Sequence, residues 1–336
     1  MARVLVAALL AMVIAILVGP TFIAFLRKNE FGQQVRDELE HHAAKQGTPT
    51  AGGLLIIAAA TIAFLPLSIY TLPALTIFGT MLACGGVGFL DDYIKLHHRR
   101  SLGLSGRWKM LLLLGITVAV GFAAHHQKLS HHVFVPVADW SVPLGPFWYV
   151  LLFLIIAGAV NGVNLTDGVD GLAGGTGIIA LGTLTAMAVT IFVRSATPTH
   201  GRVENRLDLA LIGAALVGAG VGFLWFNAFP AEIFMGDTGA MAIGGGMAAM
   251  GIMMKVELLL LFVGGIFVLV ALSVILQVLS FKFWGRRIFL IAPIQHHFEM
   301  KAWSETKIMV RFWIVTAILC GIGFALFYKY YPQIKP

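Results

Sequence analysis

Ten apolar runs, at about residues 4–26, 51–71, 74–94, 108–124, 147–164, 171–193, 207–226, 238–254, 257–280 and 308–328, leave this chain little room to fold in water. A helix rises about 1.5 Å per residue, so about 20 apolar residues match a hydrocarbon core roughly 30 Å thick. Charged residues make up 12% of the chain, roughly half the ~25% of a soluble domain. The runs predict an all-α polytopic membrane protein: about ten transmembrane helices forming a single domain over residues 1–336. The first run is too long for a signal-peptide core and passes into Gly19-Pro20 without a small-residue cleavage site, which predicts a retained span. Cys84 and Cys320 lie inside apolar runs, which argues against a disulfide framework or a CxxC metal site.

With ten spans both termini share one side, and the basic residues choose it. The loops on one side hold 14 Lys and Arg against 8 on the other, which predicts both termini outside and the basic loops in the cytoplasm. The net charge of +7 fits such loops against anionic lipids. Alternation then puts Asp91-Asp92, the stretch from Asn161 to Leu172, Asp237 and His296-His297 on the cytoplasmic side. Five of the eight aspartates fall in these short, apolar-flanked places. Between His125 and Pro146, on the outer side, VFVPV and WSVPL predict a short hairpin with proline at its edge. Its four histidines, His125, His126, His131 and His132, are either solvated or metal-binding.

The polar residues inside these runs carry the chemistry. Asp91 and Asp92 close the third run, with Lys95 one turn after Asp91. They are either interface acids balanced by basic neighbours, or they serve as a general base or as oxygen ligands better suited to Mg²⁺ than to Zn²⁺. In NGVNLTDGVDGL, Asn161, Asn164, Asp167 and Asp170 recur every third residue, while Gly162, Gly168 and Gly171 predict a helix end opening into a turn. Asp170 serves as an N-cap on one reading. On the other, the amides and carboxylates together read a nucleobase edge or sugar hydroxyls. WFNAFPAEIFMGDTGA supplies Asn227, Phe234, which suits stacking on a flat ring, and Asp237, a helix cap or a third metal ligand. Lys45 and Thr50 in AKQGTPTAGG are a phosphate-reaching lysine or a solvated one, and a cap. His296 and His297 in APIQHHFEMKAW suit phosphate contact or proton transfer, and Pro293 and Glu299 around them predict an ordered loop.

In GTPT, FLDDYIK, NGVNLTDGVDGLA, GFLWFNAFPAEIFMGDTG, LSVILQVLSFK, RRIFLIAPIQHHFE and IMVRFWI, in this order, the chain resembles the phospho-N-acetylmuramoyl-pentapeptide transferase family. That family belongs to the polyprenyl-phosphate N-acetylhexosamine-1-phosphate transferases. The resemblance implies a homodimer in the bacterial inner membrane, with no nucleic-acid partner. It implies Mg²⁺-dependent transfer of phospho-MurNAc-pentapeptide from UDP-MurNAc-pentapeptide to undecaprenyl phosphate, giving lipid I and UMP. By motif, Asp91 is the base toward the lipid phosphate, Asp92 its acidic partner and Asp237 the Mg²⁺ ligand. Asn164, Asp167, Asp170 and Phe234 belong to the nucleotide, and Lys45, Thr50, Asn161, Asn227, His296 and His297 to the sugar-phosphate path. The chain departs from the family pattern at Gln295 (histidine), Ala240 (serine) and Val270-Ala271 (a glutamate). A sister transferase using UDP-GlcNAc is the nearest alternative, against which the histidine loop argues. An ion-coupled transporter would also use intramembrane aspartates, but no inverted repeat marks the two halves.

Overall fold

The computed structural model of the chain describes residues 1–29, 47–97, 103–195 and 206–334. Every apolar run contains helix. Eight helices are long and apolar enough to cross a bilayer: α1 (Ala2–Lys28), α3 (Leu72–His97), α4 (Gly106–His126), α5 (Phe147–Thr166), α6 (Leu172–Arg194), α7 (Leu207–Asn227), α10 (Gly265–Trp284) and α12 (Glu305–Ile334). Between them lie α2 (Gly53–Phe64), α8 (Gly236–Met253) and the short α9 (Leu260–Val263) and α11 (Ile294–Glu299). The fold is all-α and polytopic, apart from one hairpin.

Three runs differ from the expected shape. The second run gives only the 12 residues of α2, about 18 Å of helix. Pro66 lies just beyond its end and has no N–H with which to continue the ladder. The ninth run breaks at Gly264, the end of α9 and the start of α10; a glycine pair is a common cause of such a break. The eighth run becomes α8, buried at every position from Thr238 to Met253. It is the central post of the bundle rather than a lipid-facing span. The expected hairpin is present, with β1 (His132–Val135) antiparallel to β2 (Trp140–Pro143) and His132 opposite Pro143.

Lipid tails are as apolar as leucine, so helices in a bilayer associate through close packing rather than hydrophobic burial. The glycines here permit that approach. A methyl group on Gly88 of α3 would lie 2.2 Å from the Asp237 carbonyl oxygen. One on Gly53 of α2 would lie 2.0 Å from the Gly239 nitrogen, and one on Gly218 of α7 1.9 Å from the Ala8 carbonyl of α1. The bundle thereby gathers the carboxyl ends of α3, α5 and α7 with the amino ends of α2, α6 and α8. At the opposite end buried Asp208 ties down the turn between α2 and α3, accepting from Ser68 Oγ (2.8 Å), Thr71 N (3.1 Å), Thr71 Oγ1 (3.2 Å) and Ile69 N (3.2 Å).

Gly218→Ala should force α1 off α7 and cost about 1–3 kcal/mol, read as easier denaturant unfolding in detergent. Unchanged stability would contradict this backbone contact.

Candidate active site

Asp91, nearly two turns before the end of α3, is 1% exposed. Its Oδ1 accepts the Leu104 N–H at 2.6 Å and faces Lys109 Nζ at 3.1 Å, while Oδ2 lies 2.6 Å from Lys95 Nζ. The expected pairing of Asp91 with Lys95 is present, and Lys109, at the start of α4, joins it. Both lysines also reach Asp237, Lys95 at 3.1 Å and Lys109 at 2.7 Å. Asp92 points elsewhere, as adjacent helical residues must. Its carboxylate accepts Asp237 N (3.2 Å), Thr238 N (2.9 Å) and Thr238 Oγ1 (2.7 Å). Asp92 therefore caps α8 from another helix. Asp237 does not cap its own helix; it lies in the first turn with its carboxylate turned to the two lysines.

Asp91, Asp92 and Asp237 each present an oxygen within 4.8 Å of the other two, and among the described residues no other three ligating side chains gather in this way. Carboxylate oxygens are hard donors that suit Mg²⁺. The lysines that pair with Asp91 and Asp237 are the charges a divalent cation would supplement. The donor set fits a divalent metal.

The stretch after α5 opens into a turn, as its glycines predict, and Gly171 adopts φ +71° at the start of α6. Asp170 does not cap α6; its Oδ2 accepts the Ala231 N–H at 3.1 Å. Asn227, 2% exposed, accepts the Gly171 N–H at 3.2 Å and donates to the Ile233 carbonyl at 2.9 Å. These two residues pin the loop from 228 to 235 against the stretch. Asn161 bonds back to the Ala157 carbonyl at 2.8 Å, one turn earlier. Asn164 and Phe234 remain half-buried. Thr50 does not cap α2: a methyl group on Gly236 would meet its hydroxyl at 3.0 Å and Asp92 Oδ2 at 2.8 Å. Half-buried Asp167 is drawn to the Gly236 N–H, yet burial and the Asp237, Asp92 and Asp170 carboxylates push its carboxyl up to about 7.

The histidine loop meets this stretch from the other side. His296 Nδ1 pairs with Glu299, and a methyl group on Gly168 would lie 2.7 Å from His296 Nε2. His297 Nδ1 accepts the Leu290 N–H at 3.1 Å, so its proton sits on Nε2. Burial, with Lys301 adding to it, holds this imidazole below its ordinary pKa. Lys45 lies outside the described residues. The four histidines near the hairpin do not join the site; with Lys128 and Leu129 they line a cavity of about 660 Å³ at the far end of the bundle. Sequence reasoning missed Lys109, counted there only as a loop charge, and Gly103, where a methyl group would lie 2.4 Å from Asp91 Oδ1.

An acid cluster with paired lysines, set at one end of a polytopic bundle, is the setting of a membrane transferase. The sequence model of glycosyl transferase family 4 matches residues 74–255, which include all three acids. The chain is 44% identical to the phospho-N-acetylmuramoyl-pentapeptide-transferase of Rubrobacter xylanophilus, over 98% of each sequence. It is 41% identical to that of Halalkalibacterium halodurans (95% of this chain, 94% of the relative) and to that of Streptomyces avermitilis (98% of each). The chain belongs to the phospho-N-acetylmuramoyl-pentapeptide-transferase family.

Asp167 gives a pH signature. Its carboxyl lies above the ordinary 3.8, so between about 4 and 7 the folded chain binds more protons than the unfolded one and loses stability as pH rises. In the absence of divalent cations, Asp167→Asn should stabilise the protein little near pH 4, increasingly through that window, and by a constant amount above about 7. Thermal midpoints across pH test this, and a gain independent of pH would contradict it.

Proposed function

We propose that this chain transfers phospho-MurNAc-pentapeptide from UDP-MurNAc-pentapeptide to undecaprenyl phosphate, giving lipid I and UMP. An oxygen of the lipid phosphate attacks the phosphorus that bears the sugar, and the bond from that phosphorus to the UMP oxygen breaks. The enzyme works in the bacterial inner membrane as a homodimer of ten-span chains. Both termini lie outside, with the hairpin, and the acid cluster faces the cytoplasm. The 14-to-8 distribution of basic residues and the gathering of the site residues at one end of the bundle support this orientation. It lets the lipid phosphate arrive from the bilayer and the nucleotide from water.

The observation that carries the reading is the group of Asp91, Asp92 and Asp237 with Lys95 and Lys109. Two phosphate-bearing anions must meet, so charge compensation dominates the barrier. Asp237, with Asp91 and Asp92 beside it, would hold Mg²⁺, which supplies positive charge against the diphosphate when bound. Lys95 and Lys109 supply fixed positive charge. Asp91 takes the proton of the lipid phosphate, a light task because a phosphate monoester releases its second proton near pH 6. Direct attack is favoured over an aspartyl-phosphate. The Asp92 oxygens are engaged by three donors, which leaves that carboxylate no ready nucleophile. Asn164, Asp167, Asp170 and Phe234 face the uridine end of the donor. Thr50, Asn161, Asn227, His296 and His297 lie along the sugar-phosphate path, with Asn227 and Asp170 acting by holding the loop that carries Phe234.

Asp237→Ala should lower Mg²⁺-dependent turnover by about 10²–10³-fold or more and weaken Mn²⁺ binding followed by electron paramagnetic resonance. Near-normal activity would sink its assignment as a metal ligand. Labelled UDP-MurNAc-pentapeptide and UDP-GlcNAc, offered separately in detergent, should yield a lipid-linked product only from the first. Product from UDP-GlcNAc alone would move the chain to the sister activity, and none from either would overturn the transferase reading.

A further inference from the structure

Gln295, the second residue of α11, is wholly buried. Its Nε2 donates to the Leu165 carbonyl at 2.7 Å. Leu165 lies in the last turn of α5, where carbonyls have no partner within their own helix, so Gln295 satisfies one of them from a distant part of the chain. The preceding residue makes the opposite attachment, with Ile294 N donating to Ser273 Oγ of α10 at 3.0 Å. The start of α11 is thus tied to α10 on one side and to α5 on the other. A methyl group on Gly168 would meet His296 Nε2 at 2.7 Å and Gln295 Nε2 at 3.4 Å, so both side chains lie against the same glycine of the donor-facing stretch. Glu299 holds the other ring nitrogen of His296. Among the described residues Gln295 Oε1 has no hydrogen-bond partner. The fold uses the donor half of this amide.

We propose that Gln295 is a positioning residue: its N–H latches α11 to the carboxyl end of α5 and so fixes the His296 imidazole against Gly168 for the nucleotide donor. This rests on the function proposed above. The position requires an N–H of the right reach, neither an acid nor a base. Histidine meets that requirement through Nε2–H, whereas ionised glutamate has the shape of glutamine but sets an oxygen against the Leu165 carbonyl.

Turnover of UDP-MurNAc-pentapeptide by the unaltered enzyme is read first, and its absence would count against the function rather than the latch. Gln295→Glu and Gln295→Leu should each raise KM for that donor by about 10-fold while kcat stays within about 3-fold, and Gln295→His should stay within about 2-fold of the unaltered KM. UMP affinity by calorimetry, which needs no turnover, should fall in the same order. Thermal midpoints separate these effects from unfolding; if Gln295→Leu fails to fold, the Glu and His variants decide. Unaltered KM in Gln295→Glu, no rescue in Gln295→His, a loss confined to kcat, or loss of the folded state in all three variants would overturn the proposal.

Discussion

Asp92 joins α3 to α8, and the other charges of the site depend on where that joint falls. A carboxylate in an apolar bundle is costly unless its oxygens are satisfied. Those of Asp92 meet two backbone N–H groups and a hydroxyl at the amino end of α8, where the helix dipole also favours negative charge. With α8 held there, Gly88 lies directly under the Asp237 carbonyl. The Asp237 carboxylate is released from capping and turns toward Lys95 and Lys109. Those lysines connect it to Asp91, and through Lys109 the start of α4 enters the site. One joint thus sets the spacing of three acids from two helices and brings a third helix to them.

A second group of contacts shapes the stretch after α5. Asn227 bonds to the backbone at Gly171 and Ile233 and Asp170 accepts the Ala231 N–H, so both hold the surrounding loops in place. His296 and Gln295 pack against Gly168 from the other side. The buried polar groups of this end divide between framework and chemistry, and only their hydrogen bonds tell which is which.

Most of the membrane architecture was readable in the sequence because bilayer thickness sets the length of a lipid-facing run. It was less readable where protein, not lipid, surrounds the chain. Hydropathy did not mark the short α2 or the break at Gly264, since neither depends on matching the bilayer. At the site the residue types were informative but their duties were not. Asp237 read equally as a cap or a ligand, and the choice rests on Asp92, 145 positions earlier. Lys109 resembled any other loop lysine until the fold carried it to Asp91. The long motifs pointed to the family directly, and the near-full-length relatives bear that out.

The composition of α8 has a consequence for how it is held in the membrane. At 18 residues α8 is long enough to cross a bilayer but is not apolar enough to count among the spanning helices. Its Gly, Ala and Met residues fit against neighbouring helices, and its first turn carries Asp237. Such a segment gains little from lipid by itself. Its place in the membrane therefore depends on α3 and α5, the helices packed most closely against it, rather than on the lipid.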